Sequence, residues 1–306
     1  MTGAKVSIIS PCYNGESYLE YFLESLLEQD YTKEVEFFFV DDGSTDKTKE
    51  IFLNYQPKFI QKGWQVEYIY QKNQGQAAAL NEGLKRFSGD YLLWPDSDDI
   101  MYPNQISEKV KFMEENPQYG LAYCIIDVVK YSNREKILYK DMRGKNADNA
   151  FKNIMNDEFV MWPPIGVIAR ASTFLKANPK RIIPTGNGGQ NCQMQLPILY
   201  SAKCGFIDKS LGKYVIRDNS HSRSCKNIFK RRYELAKIWI LTILSLNNAS
   251  RFEKLKLILW TIYVNIKKIF NHYFSRIYSA SSKKQGNKIR KTINIFGIKI
   301  TYKIPA

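Results

Sequence analysis

The chain has 306 residues, 44% of them hydrophobic and 14% aromatic, and its 45 Lys and Arg against 30 Asp and Glu leave a net charge of +15. That apolar content is ample for a packed core and excludes wholesale disorder. The charge is unevenly held: Arg217 to Ala306 carries 20 basic and 3 acidic residues (net +17), leaving 25 basic and 27 acidic ahead of it (net −2), so a near-neutral body precedes a cationic tail.

In chain order, Val6–Ile9 reads as a first strand. With one lysine ahead of it and Pro11 behind it, Met1–Tyr13 makes a poor signal peptide. Ser17–Gln29 reads as an amphipathic helix, with Tyr18, Phe22 and Leu26 on one stripe and Leu19, Leu23 and Leu27 beside it. Ser17 followed by Glu20 predicts a capping box. Strands at Val35–Val40, Val66–Tyr70, Tyr91–Trp94 and Leu121–Val129 alternate with further helices. Gln76–Phe87 is rich in Ala and Leu, with Asn81 and Gly83 as its weak points, and Asn104–Glu115 follows Pro103. This alternation predicts an α/β domain with a mostly parallel central sheet flanked by helices. In such sheets ligands bind beyond the carboxyl ends of the strands. The five cysteines are scattered with no CxxC pair, as expected of reduced thiols in a cytosolic setting.

In the tail, Leu235–Leu246 and Leu255–Phe270 are apolar and read as helices, with Lys254, Lys256, Lys267 and Lys268 flanking the second. Its uninterrupted apolar part, Leu257–Val264, covers about 12 Å as helix, well short of the roughly 30 Å hydrocarbon core. The helices therefore either pack on the body or lie in a bilayer interface, and the charge balance favours an anionic membrane surface. Basic residues interleaved with long aliphatic runs speak against nucleic acid. Ile293–Ile304 alternates around Gly297 and reads as a small hairpin or an added strand.

Four loops at strand ends carry the chemistry: Ser10-Pro11-Cys12-Tyr13-Asn14-Gly15, Asp41-Asp42-Gly43-Ser44-Thr45-Asp46, Asn73-Gln74-Gly75-Gln76 and Asp96-Ser97-Asp98-Asp99. Asp-Asp-Gly-Ser and Asn-x-Gly alone are ordinary turn and cap chemistry. Three carboxylates in four residues repel one another unless a cation lies among them, and an all-oxygen set suits Mg²⁺ or Mn²⁺ rather than zinc. No GxxxxGK[ST], GxGxxG after the first strand, HExxH or GxSxG is present, which excludes a P-loop NTPase and speaks against a dinucleotide enzyme, a zinc protease and a serine hydrolase.

Taken in order, VSIISPCYN, FFFVDDGSTDKT, NQGQAAALNEGLKRFSGDYLLWPDSDD and the following Pro103 resemble family 2 glycosyltransferases of the GT-A fold, over about residues 4–125. The resemblance implies a GT-A nucleotide-diphospho-sugar transferase fold, with a catalytic domain over 1–224 and a basic helical tail over 225–306 ending in a short β segment. It implies a nucleotide sugar, a UDP sugar by expectation, with Pro11 and Tyr13 lining its base and ribose, Asp42 accepting a hydrogen bond from the uracil or similar base, and Asn14, Asn73 and Gly75 bordering the cleft. Asp96 and Asp98 match the family's DxD motif and are expected to hold the divalent metal, Mn²⁺ or Mg²⁺. Asp99 either joins them or only supports the loop.

The family places an acidic pair at a later helix start, one member serving as base. The matching stretch is Gly188-Gly189-Gln190-Asn191, similar to one in capsule-type members, so Gln190 and Asn191 stand where the acids are expected. An amide cannot take up a proton at neutral pH. Asp157, Glu158 and Asp208 remain alternatives for the base. The stretch Val215–Ser224 resembles a late segment that closes over the donor diphosphate, which nominates Arg217, His221, Ser222 and Arg223. Trp162-Pro163-Pro164 falls where such enzymes bind acceptor. The resulting expectation is an inverting enzyme on the inner face of the cell membrane, acting on a lipid-linked saccharide in capsule or other surface polysaccharide assembly. The alternatives are a non-catalytic sugar-nucleotide-binding or scaffold protein, or a sugar nucleotidyltransferase.

Overall fold

The computed structural model describes residues 3–157, 163–186, 189–217, 227–285, 288–295 and 298–305. Its centre is a nine-stranded sheet in the order β3-β2-β1-β4-β8-β6-β9-β5, with β7 beside β6. β1 (Val6–Cys12), β2 (Val35–Asp41), β3 (Gln65–Tyr70) and β4 (Tyr91–Leu93) are mutually parallel. β1 and β2 are buried along their whole length, so they read as near-continuous apolar runs, whereas edge strand β3 exposes Gln65, Glu67 and Tyr70. Between them run α1 (Leu19–Leu27), α2 (Thr48–Gln61) and α3 (Gln76–Leu84).

The second half of the sheet is mixed. β5 (Ile100–Met101) and α4 (Gln105–Glu115) lead into β6 (Tyr119–Lys130) and β7 (Asn133–Asp141). β8 (Val167–Arg170) lies antiparallel between β4 and β6, and β9 (Lys203–Ile216) runs parallel to β6. Around these lie α5 (Ala150–Met155), α6 (Ala171–Ala177) and α7 (Gln190–Ser201). Lys109 of α4 is fully buried and donates to the Ile165 and Val167 carbonyls at 2.7 and 3.1 Å, tying α4 to the start of β8. A buried ammonium of this kind is tolerated only because backbone oxygens replace its water.

The expected capping box does not form. α1 begins at Leu19, its N-cap is Tyr18 without a side-chain bond, and the Gly15 carbonyl accepts the Tyr18 and Leu19 N–H groups at 3.0 and 2.9 Å. Asn14 (φ 50°) is laced to the second loop and Gly15 to Thr48 at the start of α2, which sets the chain's entry into the helix and leaves Ser17 outside it.

The tail forms α8 (Ile228–Leu244) and α9 (Arg251–Ile277), then an antiparallel sheet of β10 (Tyr278–Gln285), β11 (Lys288–Ile295) and β12 (Ile298–Pro305). β11 and β12 pair antiparallel, with Ile295 opposite Ile298 and Lys288 opposite Pro305. α8 packs on α7, and Trp239, Ile243 and Leu246 join the main core. Among the described residues no helix is long and apolar enough to cross a membrane. Cys12, Cys124, Cys192 and Cys204 are buried.

Candidate functional site

The register brings the loop ends to one rim. Cys12 of β1 pairs with Asp41 of β2, and the Asp42 N–H donates to the Cys12 carbonyl at 2.8 Å. From there Asp42 organises the third loop. Its carboxylate accepts the backbone N–H groups of Gln74 and Gly75, both at 2.9 Å, and the Gln71 side-chain amide at 2.6 Å. Asn14 receives the Thr45 N–H at 2.9 Å, and its own N–H donates to Ser44 Oγ at 2.9 Å, so loops one and two are laced as well. The second and third loops lie so close that a Cβ on Gly43 (φ 78°) would sit 2.6 Å from the Asn73 nitrogen; only glycine fits there. Pro11 is buried in β1, while Tyr13 and Asn73 are exposed at the rim.

Asp96, Asp98 and Asp99 follow β4, and one carboxylate oxygen from each lies within 4.8 Å of the others. Asp99 is fully buried; its Oδ1 accepts the Val215 N–H at 3.0 Å, and its Oδ2 has no hydrogen-bond partner among the described residues. It thus supports the loop from β9. Asp98 pairs with the Arg217 guanidinium at 2.6 Å, and that guanidinium stacks over the Tyr18 ring at 4.3 Å. Burial, reinforced by the Asp98 charge, raises the Asp96 carboxyl to about 7. Asp98 is raised by burial and Asp99 well raised by burial and its two neighbours. Clustered carboxylates that resist ionisation together, one with an orphaned oxygen and one already meeting a cation, fit a divalent cation's requirements.

The amide at Gln190 reaches this cluster. Its Nε2 donates to Gln76 Oε1 at 2.6 Å, and Gln76 Nε2 donates to Asp96 Oδ1, so α7, α3 and the carboxylate loop share one hydrogen-bonded line. α7 starts at Gly189 (φ 90°), where a Cβ would meet Ile238 of α8 at 2.4 Å. Asn191 Oδ1 is buried without a partner among the described residues. Of the alternative bases, Asp157 is engaged by Arg232 at 2.7 Å and Lys268 at 3.4 Å, and Asp208 is exposed where the β6–β9 register slips. Glu158, Trp162, Gly188, His221, Ser222 and Arg223 lie outside the described residues.

Sequence reasoning puts Gln76 in the third loop without giving it a role, and misses Gln71 and Tyr18 as members of the site. The signal for Gln76 is its place as first residue of a helix directly after a positive-φ glycine. Tyr18 shows only as part of an apolar stripe, and its contact with Arg217 depends on a strand nearly two hundred positions later.

The raised carboxyls set a pH dependence. A carboxyl whose folded pKa exceeds its unfolded value holds its proton longer when folded, so stability falls as pH rises through the interval between the two. For Asp96 that interval runs from about 4 to about 7. Glu36, Asp46 and Asp141 have lowered values and act with the opposite sign, but their contribution is lost only in more acidic solution. The metal-free melting temperature is therefore expected to fall between pH 5.5 and 7.5, and less in Asp96→Asn. Added Mn²⁺ should raise it more at pH 7.5 than at 5.5. An equal Mn²⁺ response at both pH values, read by scanning fluorimetry, would detach the metal from these carboxylates.

Residues 7–173 match the family model "Glycosyl transferase family 2". The chain is 30% identical over 218 residues to an uncharacterized glycosyltransferase of Rickettsia bellii, covering 71% of this chain and 29% of the relative. It is 30% identical over 231 residues to glycosyltransferase GlyA of Streptococcus pneumoniae serotype 4, covering 72% of this chain and 32% of the relative. The chain thus spans about a third of these relatives' length. Among solved structures, S. aureus TarS 1–349 in complex with UDP-GlcNAc superposes with a TM-score of 0.65 at 21% identity, covering 89% of this chain and 75% of that one. The mannosyltransferase PcManGT of Pyrobaculum calidifontis, in complex with GDP-Man and Mn²⁺, gives 0.56 at 14% identity, covering 90% and 81%. These likenesses show that the GT-A fold is shared.

Proposed function

The chain belongs to glycosyl transferase family 2, and on that premise we propose that it is an inverting glycosyltransferase moving a sugar from a UDP-sugar donor to a lipid-linked saccharide in surface polysaccharide assembly. The observation that carries the reading is the convergence of Asp42, Gly75, Gln76 and the three clustered carboxylates at the carboxyl ends of parallel strands. The uridine donor is supported by TarS, which binds UDP-GlcNAc on the same fold. A lipid-linked acceptor entails attachment to the inner face of the cell membrane, for which the cationic tail is the means.

In this reading Tyr13, Asn14 and Asn73 border the base and ribose, with Pro11 beneath them. Asp42 holds the third loop in the shape that admits the nucleotide. Asp96 and Asp98 would hold a divalent cation, which when bound stabilises the charge developing on a departing diphosphate. Gln76 fixes the Asp96 carboxylate, and Gln190 and Asn191 orient the acceptor hydroxyl. Arg217, with His221 and Ser222, supplies donors to the diphosphate.

The amides at 190 and 191 favour one competing reading, a protein that binds a nucleotide sugar without transferring it. Full-length protein with Mn²⁺ and a panel of UDP and GDP sugars separates the two. The expected result is a melting shift selective for one UDP sugar, together with its slow hydrolysis, and transfer with inversion once a lipid-linked acceptor is supplied. A melting shift with no consumption of any donor would establish the binding protein instead.

A further inference from the structure

Helix α9 is apolar on two opposite sides. Thr261 and Val264 are buried against the body, with Leu257 and Ile258 packed on the core. On the opposite side Phe252, Leu255, Leu259, Tyr263, Ile266 and Phe270 recur at steps of three and four, and each is 51% to 65% exposed. The outward face of a surface helix is ordinarily its polar face. Here it is an aliphatic and aromatic stripe on a 27-residue helix, about 40 Å long. Phe229 and Tyr233 of α8, both more than half exposed, extend it, since the Phe229 ring lies 5.3 Å from that of Tyr273.

Lysines border the stripe: Lys256 Nζ lies 4.5 Å from the Phe252 ring and Lys267 Nζ 5.9 Å from that of Tyr263. Between Arg251 and Ile277 the sole acidic residue is Glu253, against six basic ones.

We propose that the outward stripe of α9, extended by Phe229 and Tyr233, is a docking face for an anionic bilayer. The helix lies flat on it, apolar side chains in the headgroup–acyl boundary and lysines on the lipid phosphates. This deepens the membrane attachment proposed above and does not depend on the donor chemistry. A second copy fits less well: lysine is depleted at protein interfaces, and two copies would bring two surpluses of positive charge together. α9 is also fixed to the body. Lys268 and Arg232 clasp Asp157, Lys268 Nζ donates to the Asp157 carbonyl at 3.1 Å, and Trp260 Nε1 donates to Asn156 Oδ1 at 3.1 Å. The docked helix therefore holds the chain just ahead of Trp162-Pro163-Pro164, and orients the catalytic rim relative to the lipid.

The test uses the full chain with sedimentable vesicles of phosphatidylcholine containing about a third phosphatidylglycerol. The wild type is expected to sediment with these vesicles, and less so in high salt or with pure phosphatidylcholine. Leu259→Glu and Ile266→Glu should each weaken binding about tenfold or more. Neither should lower the melting temperature or donor hydrolysis, because both side chains point away from the body. In the wild type, brominated lipid should quench more fluorescence than in Trp260→Phe, a readout independent of the charge variants. Wild type left in the supernatant, or binding unchanged in both glutamate variants, overturns the proposal. So does a vesicle-free dimer that Leu259→Glu dissolves, because the stripe would then be covered by a second copy. Loss of docking with donor hydrolysis intact counts against this surface alone; the reverse counts against the reaction.

Discussion

Asp98→Ala is expected to lower sugar transfer by about a thousandfold or more while leaving the protein folded. The half-buried carboxylate is the member of the cluster that faces a cation, and in the structure that cation is Arg217 at 2.6 Å. Removing it would leave a divalent cation fewer oxygens and frees a guanidinium whose Nε already lacks a partner among the described residues. The fold has little to lose. Burial raises the acid against the opposing pull of Arg217, so its charge is a strain on the folded state rather than a support. Asp98→Asn sharpens the test, since the amide oxygen still accepts from Arg217 but carries no charge. Both variants should lose turnover and Mn²⁺ affinity together with the melting temperature held within a few degrees. Normal turnover in either would remove Asp98 from the metal site.

The second large effect is on stability. Phe37→Ala is expected to cost about 3–5 kcal/mol, lowering the melting temperature by about 10 °C. Phe37 is fully buried on β2, with ring centroids 6.4 Å from Phe22, 6.4 Å from Phe39, 6.0 Å from Phe52 and 5.5 Å from Phe59. It therefore joins α1 and α2 to the strand whose end carries Asp42. Truncation leaves a cavity among rings too rigid to collapse into it. Phe37→Leu should cost less than half as much in denaturant titration. A loss under about 1 kcal/mol for the alanine variant would mean that α1 and α2 repack freely.

The first four parallel strands and the loops at their ends are legible in the sequence because they depend on short-range chemistry. Val35–Val40 is buried on both faces and so reads as an unbroken apolar run, and Gly43 and Gly75 mark turns that need positive φ. The capping box at Ser17 fails because α1's entry is decided by Asn14 binding to loop two and Gly15 to Thr48 of α2, contacts 30 and 33 positions apart. For the same reason the role of Gln76 escapes notice: its partners are Asp96 and Gln190, and the latter lies 114 residues away. Periodicity finds α8 and α9 but not which side of each is covered. Trp239 and Ile243 enter the main core while Leu259 and Phe270 stay outside, although all four are equally apolar on paper.

The bond from Val215 to Asp99 spans 116 positions and is made by the last strand to join the main sheet. Translation adds only about 5–20 residues per second, so a growing chain carries its crowded carboxylates for several seconds before β9 is made. During that wait Asp99 is still hydrated, and the acids titrate like those of an open loop. The closure entropy of so long a connection must be met before the contacts reward it, so the β1–β3 layer assembles first. The carboxylate cluster is therefore completed only once β9 exists, and a misplaced β9 would disturb it even where the β1–β3 layer is intact.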